Sequence, residues 1–405
     1  MDDNPGTLTL CLAGGKGERL YPLTKDRAKP AVPFGGIYRI IDYSLSNAVN
    51  SGLRRIYVLI QYKSYSLQRH IREGWNIFSR ELGEFVDVIP AQMRVGEGWY
   101  SGTADSVFQN IYFLNQERPD RVLILSGDHV YKMDYRLLLD FHRQKKADLT
   151  IAVFEVPIAE ASRFGVLKAD NDGAVGAFDE KPSAPAPSPG NPDVALISMG
   201  IYVFNTETLV KRLFEDARRK ESSHDFGKDI IPSMLGRDRV FAFPFIDANR
   251  KETKYWRDIG TLEAYYDANM DLVSIDPVLN IYDRPWPIRT FQEQLPPAKT
   301  VFSVGERMAI INDSIISGGC IISGAHVIHS ILSPWVHLHS YAEITDSILL
   351  DNVEIGRNCR VRKAIIDKDV VLSPGTSVGY NLEEDRKRFT VTETGIVVIP
   401  KGYRV

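Results

Sequence analysis

Residues 8–20 read LTLCLAGGKGERL, and a second basic motif, RAKP, follows at residues 27–30. The apolar run at the start is typical of a buried strand, and it turns abruptly into glycines and cations. Glycines that follow a strand expose backbone N–H groups without Cβ atoms, which suits an anionic phosphate. The side chains of Arg19 and Lys29 add full positive charge to those N–H groups. We therefore predict a polyphosphate-binding turn that contains Gly14, Gly15 and Gly17.

The spacing of these glycines separates the turn from two common phosphate-binding motifs. A dinucleotide fingerprint requires G-x-G-x-x-G, but Leu20 stands where the third glycine would be. The P-loop pattern G-x-x-x-x-G-K-[ST] does not occur in the sequence. Taken alone, the turn is equally compatible with an ordinary connection between a strand and the next element.

Length and composition narrow the number of domains and the class of protein. A chain of 405 residues is long enough for two or three domains. The net charge of −3 argues against a nucleic-acid-binding protein, which usually carries a basic excess. The 3 cysteines are far apart and form no C-x-x-C pair, so they predict neither a disulfide framework nor a cysteine zinc site. Without a signal sequence or a long apolar span, we expect a cytoplasmic protein that binds no membrane.

Two carboxylates follow the pattern of a metal site. Residues 122–128, VLILSGD, form an apolar strand that ends at Asp128, and strands alternating with helices predict a parallel sheet with ligands at its carboxyl edge. Asp258 stands in the run YWRDIG at residues 255–260. Together the two acids predict a Mg²⁺ site, since Mg²⁺ prefers oxygen ligands. Each acid has an alternative explanation as a helix N-terminal acid, and we assign no role to His129.

Two other stretches contain candidate substrate ligands. Residues 99–105, WYSGTAD, are small enough to approach a flat ligand closely, although a helix N-terminus explains them equally well. In the run FDEKP at residues 178–182, Lys181 is able to bind a phosphate monoester and Glu180 to accept sugar hydroxyls. A surface ion pair between these two side chains is the alternative.

The composition and periodicity of the sequence change after Asp276. We predict a catalytic domain over 1–275, a linker over 276–300 and a further domain over 301–405. In the last part, apolar residues recur at intervals of six, with small residues between them, which predicts a left-handed parallel β-helix that self-associates. A β-sandwich is the alternative. The recurring residues are Ile315, Ile321 and Val327; Leu349, Ile355 and Val361; and Leu372 and Val378.

With these pieces placed, the chain resembles the sugar-nucleotide pyrophosphorylases, and within them the bacterial ADP-glucose pyrophosphorylases, or glucose-1-phosphate adenylyltransferases. Each motif is moderately specific, whereas the ordered set covers nearly the whole chain. The motifs are LAGG at 12–15 with Arg19, RAKPAV at 27–32, RIID at 39–42, WYxGTAD at 99–105, GDH at 127–129, FxEKP at 178–182, SMG at 198–200 and YWRD at 255–258.

The resemblance implies an α/β fold, with a Rossmann-like nucleotidyltransferase domain on a mixed, mostly parallel sheet followed by a left-handed parallel β-helix. It further implies ATP and glucose 1-phosphate as substrates, Mg²⁺ as cofactor, a role in glycogen biosynthesis, a homotetramer and small-molecule allosteric effectors. Some members carry a basic residue just before the RAKP motif that helps to bind a phosphorylated activator. This chain has Asp26 there, which leaves the identity of any activator open.

The resemblance also implies roles for individual residues. Arg19, Lys29 and Asp128 are the expected catalytic residues, and Asp128 and Asp258 the expected metal ligands. The expected hexose-phosphate ligands are Tyr100, Gly165, Glu180, Lys181, Ser198 and Asp225. The expected nucleotide ligands are Gly14, Gly15, Gly17, Gln92, Gly102 and Thr103.

Three other functions compete with this reading. A pyrophosphorylase for another nucleotide or sugar shares the turn and the metal site. A non-catalytic regulatory subunit typically loses a basic residue or an acid that this chain retains. An acyltransferase on the β-helix needs a catalytic histidine among the coils, where His326, His329, His337 and His339 occur.

Overall fold

A computed structural model describes residues 6–92, 99–188, 190–249, 251 and 253–404 of the chain. The first part of the chain is built on a nine-stranded mixed sheet. Its strands are β1 (Thr7–Ala13), β2 (Arg55–Ile60), β3 (Phe85–Pro90), β4 (Arg121–Ser126), β5 (Leu149–Pro157), β6 (Gly165–Ala169), β7 (Val175–Glu180), β8 (Val194–Asn205) and β9 (Val240–Pro244). Short strands also pair at Pro33–Phe34 with Tyr38–Arg39 and at His129–Tyr131 with Trp256–Asp258.

The strand order explains why the predicted turn and the predicted acid meet. The sheet runs β7-β6-β8-β4-β1-β2-β3, and β5 joins β8 and β9. Strand β1 is parallel to both β2 and β4, with Leu12 opposite Leu59 on one side and Ser126 on the other. The loops that leave β1 and β4 therefore emerge side by side at one carboxyl edge, as the sequence predicts.

Helices cover both faces of this sheet. They are α1 (Ile40–Asn50), α2 (Tyr65–Gly74), α3 (Thr103–Phe108), α4 (Ile111–Glu117), α5 (Tyr135–Gln144), α6 (Thr206–Ala217), α7 (Ile231–Met234) and α8 (Leu262–Met270). Short 3₁₀ turns lie at Glu18–Leu20, Lys29–Ala31, Arg80–Leu82, Ile158–Arg163 and Asp271–Val273, and a π-helical turn lies at Phe226–Ile230. In the described part of the chain, no helix is long and apolar enough to cross a membrane.

The N-terminus of α1 is fixed by a buried carboxylate. Asp42 accepts a hydrogen bond of 2.8 Å from the backbone N–H of Arg39, which satisfies a donor that the helix itself leaves free. Its other oxygen lies 2.6 Å from Nε2 of His70 and accepts a bond of 2.9 Å from Nε1 of Trp75. These bonds hold the N-terminus of α1 against the C-terminal half of α2.

The last part of the chain forms a parallel β-helix with three faces. One face stacks Lys299–Val301, Ile321–Ser323, His337–Leu338, Glu354–Ile355 and Val371–Leu372. The second stacks Ile310–Asn312, His326–Ile328, Glu343–Thr345, Arg360–Arg362 and Ser377–Val378. The third stacks Ile315–Ile316, Ile331–Leu332, Ile348–Leu349, Ala364–Ile366 and Val397–Ile399, with Thr390–Val391 on its edge; α9 (Leu382–Arg386) lies in the preceding connection. Two hairpin strands, Ser303–Val304 and Arg307–Met308, project from the first coil.

The β-helix that the sequence predicts is confirmed, but two of the recurring apolar residues are not buried in its interior. Ile321 is 39% exposed, whereas its neighbour Ile322 is fully buried. Ile315 is likewise only half-buried. Two adjacent isoleucines give an apolar signal that does not say which of them points inward. Partners in adjacent coils are 17 residues apart, as for His337 and Glu354, or 16 apart, as for Ile321 and His337. One or two of the three steps in such a coil are therefore five residues long rather than six.

A single apolar cluster joins the two parts of the chain. It contains Tyr43 and Tyr265 from the first part together with Ile331, Ile348 and Val398 from the β-helix. Beside it, Nη2 of Arg27 donates to both oxygens of the buried Asp367, at 2.8 and 2.9 Å. The RAKP segment is therefore tied directly to a coil of the β-helix. The domain boundaries at 275 and 300 stay a prediction; the region between Val273 and Lys299 has no helix or strand.

We predict that the buried His142 on α5 makes the protein sensitive to acid. Its Nδ1 lies 2.8 Å from Oγ1 of Thr150 and its Nε2 lies 3.2 Å from Oδ1 of Asn205, and burial lowers the pKa of this imidazole to about 4. The unfolded chain takes up a proton near pH 6.5, so stability falls as the pH drops from 6.5 towards 4. Between pH 7 and 4.5 we expect the stability advantage of the wild type over His142→Gln to shrink by about 2 kcal/mol. Urea unfolding at the two pH values measures it, and a constant difference contradicts it.

Candidate active site

The glycine turn after β1 is open to solvent at one end and packed at the other. Gly15 is exposed, and a Cβ atom there would meet nothing within 4 Å. Gly17 has φ +66°, and a Cβ atom there would lie 2.9 Å from Cβ of Lys29. The hydroxyl of Thr24 donates to the Gly17 carbonyl at 2.9 Å. The turn is thus closed against the RAKP segment while its first glycines face solvent, where a phosphate has access.

Gly17→Ala should lower the free energy of unfolding by about 1–2 kcal/mol, because alanine is strained at this positive φ and crowds Lys29. Gly15→Ala is the matched control, since its φ is not positive and its Cβ atom meets no neighbour. Thermal and urea unfolding of both variants measures the effect. Equal stability of the two variants would refute the strain that we assign to Gly17.

The two predicted metal ligands meet, and a short pair of strands explains why. Asp128 follows β4 directly, and the next residues, His129–Tyr131, pair antiparallel with Trp256–Asp258. In this register His129 stands opposite Asp258, which brings the second acid to the carboxyl edge of the sheet. Ligand atoms of Asp128, His129 and Asp258 all lie within 4.8 Å of one another.

The ammonium group of Lys29 lies between the two acids. Its Nζ is 2.8 Å from Oδ2 of Asp128 and 3.0 Å from Oδ1 of Asp258. Burial alone would lower the pKa of Lys29, but the two carboxylates outweigh burial and raise it. Burial would likewise raise the pKa of Asp128, whereas Lys29 and His129 hold it well below its usual value. Asp128 is therefore ionised at neutral pH. The cluster already accommodates one cation, the ammonium group of Lys29, which fits a divalent metal ion with oxygen ligands.

Sequence reasoning missed His129 as a neighbour of this cluster. Its Nε2 lies 3.5 Å from Asp128 and 3.8 Å from Asp258. Its position next to Asp128 in the chain was the only available signal, because the strand pairing that turns it towards Asp258 leaves no mark in the sequence. Arg19 is also close: a Cβ atom on Gly260 would lie 3.1 Å from Nη2 of Arg19 and 3.1 Å from Oδ2 of Asp258.

A second group of predicted residues gathers around the carboxylate of Glu180. A Cβ atom on Gly165 would lie 2.8 Å from its Oε2, and one on Gly227 would lie 2.5 Å from the same atom. Neither glycine tolerates a side chain without displacing Glu180. Lys181 has an exposed side chain whose Nζ lies 3.3 Å from Oε1 of Glu180. The sequence predicts every member of this group except Gly227.

Ser198 and Asp225 belong to the same region as Glu180. Both lie near the buried Tyr202, which sequence reasoning also missed. The hydroxyls of Ser198 and Tyr202 are 3.2 Å apart. Burial raises the pKa of Tyr202, and the charges of Glu180 and Asp225 raise it further. Tyr202 lies four residues beyond Ser198 in β8, so the two side chains share one face of the strand. Gly200 between them has φ +68° at a register shift.

Gly102 and Thr103 are linked to Asp225 rather than to the glycine turn. The Thr103 hydroxyl donates to Oδ2 of Asp225 at 2.8 Å, and Oδ1 of Asp225 accepts from the N–H of Gly227 at 2.9 Å. A Cβ atom on Gly102 would lie 2.2 Å from the carbonyl oxygen of His224, so only glycine fits there.

Tyr100 and Gln92 occupy the margin of the site. The hydroxyl of Tyr100 accepts a bond of 2.9 Å from Nδ2 of Asn110 within the helical layer. Gln92 is exposed and follows β3 at the carboxyl edge, next to residues 93–98, which lie outside the described part of the chain. The ligand roles of both residues stay predictions.

Comparison with known proteins agrees with both parts of the fold. The family described as "Nucleotidyl transferase" matches residues 8–274, and the family "GlmU-like, C-terminal hexapeptide" matches residues 296–399. A glucose-1-phosphate adenylyltransferase of Koribacter versatilis is 54% identical over 98% of this chain and 96% of its own length. One of Rhodopirellula baltica is 55% identical over 98% of this chain and 90% of its own length.

A further relative is a glucose-1-phosphate adenylyltransferase 2 of Vibrio cholerae, 52% identical over 98% of both chains. Identity above 50% across both parts means that the similarity is not confined to the shared phosphate-binding turn. The chain therefore belongs to the nucleotidyl transferase family and, within it, to the glucose-1-phosphate adenylyltransferases.

Proposed function

We propose that this chain transfers the adenylyl group of ATP to α-D-glucose 1-phosphate and so forms ADP-glucose and pyrophosphate. The observation that carries the proposal is the convergence of Asp128, Asp258 and Lys29 beside the glycine turn and Arg19. A phosphate oxygen of glucose 1-phosphate attacks the α-phosphorus of ATP in line, and the bond from that phosphorus to the β-phosphate oxygen breaks. The nucleophile is already an anion at neutral pH, so the protein supplies positioning and charge rather than a general base.

We assign the leaving pyrophosphate to the N–H groups of Gly14–Gly17 and to Arg19, with Lys29 sharing its charge. Asp128 and Asp258 are the residues that would hold Mg²⁺, which when bound neutralises charge on the phosphates. Lys29 lies between the two acids, so with an ion held by them its ammonium group would be displaced and would be available to the phosphates. Gly15, Gln92, Gly102 and Thr103 are assigned to the nucleotide.

We assign the hexose phosphate to the group around Glu180. Lys181 binds the phosphate as a point charge, while Glu180, Ser198 and Asp225 bond to sugar hydroxyls. Gly165 is assigned to the same pocket, because the absence of a side chain there leaves room for the Glu180 carboxylate and the Phe178 ring. The buried hydroxyl of Tyr202 orients Ser198 from below.

A panel of nucleoside triphosphates with glucose 1-phosphate, followed by pyrophosphate release, tests the proposal. We expect ATP to give far higher kcat/KM than GTP, UTP, CTP or dTTP. The rival function, a pyrophosphorylase for another nucleotide or sugar, shares the same turn and acids. Preferred turnover of another triphosphate, or of another sugar phosphate with ATP, would establish that rival instead.

We also propose a homotetramer and regulation by small anions. Exposed apolar side chains on the β-helix support the first, among them Phe302, Val304, Met308 and Trp335. A cavity of about 570 Å³ between the two parts supports the second, because Arg39, Lys368 and Lys401 line it. Arg27 and Arg69 line it as well, whereas Asp26, Glu73, Glu293 and Asp351 also line it and oppose an anion. Light scattering, and assays with sugar phosphates, AMP and inorganic phosphate, test both statements.

A further inference from the structure

One face of the β-helix carries two histidines and a glutamate that the adenylyl-transfer site does not use. His337 and His339 flank Leu338, which is fully buried, so both imidazoles project from the same outer face. Glu354 stands directly opposite His337 in the next coil. The three side chains therefore come from two adjacent, hydrogen-bonded strands of a regular scaffold rather than from loops.

The donor atoms of the three side chains already converge. The two imidazole rings have centroids 4.2 Å apart and planes inclined by 31°. Nε2 of His339 lies 2.9 Å from Oε1 of Glu354. One ligand atom from each of His337, His339 and Glu354 lies within 4.8 Å of the other two. Small side-chain rotations bring such atoms to the separations found around one metal ion, where bonds to nitrogen and oxygen are about 2.0–2.2 Å.

We propose that His337, His339 and Glu354 bind a divalent transition-metal ion of the zinc class. Two imidazole nitrogens and one carboxylate oxygen form a donor set that suits Zn²⁺, Ni²⁺ or Cu²⁺, whereas Mg²⁺ and Ca²⁺ prefer oxygen alone. Three protein ligands leave at least one coordination position for water or another ligand. The donor atoms also distinguish this site from the cluster of Asp128 and Asp258, in which carboxylate oxygens predominate.

The surroundings favour a cation at this face. In the described part of the chain, the only ion-pair partner of Glu354 is His339, so no lysine or arginine occupies its carboxylate. This contrasts with Asp128 and Asp258, which Lys29 bridges. A cavity of about 530 Å³ adjoins the cluster; His337 and Glu354 line it together with Asp369, which pairs with Lys401 at 3.7 Å, and Arg404. An ion at the site is therefore reachable from solvent.

Metal titration of the full chain tests the proposal. After treatment with EDTA, Zn²⁺ binding is followed by calorimetry and Co²⁺ binding by its visible absorption, which reports nitrogen and oxygen ligands. We expect one equivalent of Zn²⁺ that excess Mg²⁺ does not displace. His339→Asn and Glu354→Gln should each weaken it by about 100-fold or more and change the Co²⁺ spectrum, while circular dichroism stays unchanged.

Two controls separate this site from other binding. His326 is also paired in register with a glutamate, Glu343, but has Ile328 where the second histidine would stand, so His326→Asn should leave Zn²⁺ affinity unchanged. Asp128→Asn should still bind one equivalent of Zn²⁺ at the β-helix. This result distinguishes the proposed site from any metal bound at the adenylyl-transfer site. Equal Zn²⁺ affinity in the wild type, His339→Asn and Glu354→Gln would overturn the proposal. So would loss of the equivalent in Asp128→Asn alone.

Discussion

Asp128→Asn should lower kcat by at least about 100-fold at saturating ATP, glucose 1-phosphate and Mg²⁺, because a metal ligand that neutralises phosphate charge is worth several kcal/mol. Asparagine keeps the shape of the side chain, and its single amide oxygen still accepts one of the two hydrogen bonds that Lys29 and the Ser126 hydroxyl donate to separate oxygens of Asp128. The substitution therefore removes charge from the cluster without removing core volume. Pyrophosphate release measures the rate, and urea unfolding checks that the variant is folded.

The matched control for this variant is Asp140→Asn, which removes an acid from the outer face of α5. The kcat of this variant should stay within about twofold of the wild-type value. The surface ion pair between Asp140 and Arg143 contributes little to stability, so its loss leaves the fold intact. Asp258→Asn should resemble Asp128→Asn, since Lys29 bridges both acids. Turnover of Asp128→Asn near the wild-type rate would show that the two acids hold no catalytic ion.

Lys181→Ala should lower kcat/KM for glucose 1-phosphate by about 30-fold to 1000-fold, which corresponds to ~2–4 kcal/mol of charge-assisted binding. The apparent KM for ATP should change far less, because Lys181 lies with Glu180 and Gly165 rather than beside the glycine turn. Initial rates with each substrate varied in turn measure the two effects. Lys181→Arg, which keeps the charge, should recover part of the loss.

Lys168→Ala provides the comparison for Lys181→Ala. Lys168 is an exposed lysine on β6, the strand that begins with Gly165, so its removal lowers the net charge equally. We expect it to leave both KM values nearly unchanged. If Lys181→Ala raises the two KM values equally, or if Lys168→Ala has the same effect, the assignment of Lys181 to the sugar phosphate is wrong.

The sequence predicts much of this architecture because the informative residues lie at strand ends. The runs that end at Ala13 and Ser126 are mostly apolar, and parallel pairing then places Gly14 and Asp128 at one edge. The fold class is confirmed in both parts. The residue roles stay predictions, although the structure brings Lys29, Asp128 and Asp258 together.

What the sequence does not reveal depends on contacts between distant segments. The strand pairing that brings Asp258 to His129 has no local signature. In the β-helix, the pair Ile321 and Ile322 satisfies either phase of an apolar repeat, so only the packing of neighbouring coils decides which one is buried.

The apolar cluster that joins the two parts has a consequence for how such chains diversify. Tyr43 and Tyr265 on one side and Ile331 and Val398 on the other fill a common volume, and Arg27 and Asp367 satisfy each other beside it. A substitution on either side changes the cavity that the other side must fill. Substitutions in the two facing surfaces are therefore coupled. A hybrid of two related chains keeps its stability only when both facing surfaces come from the same parent.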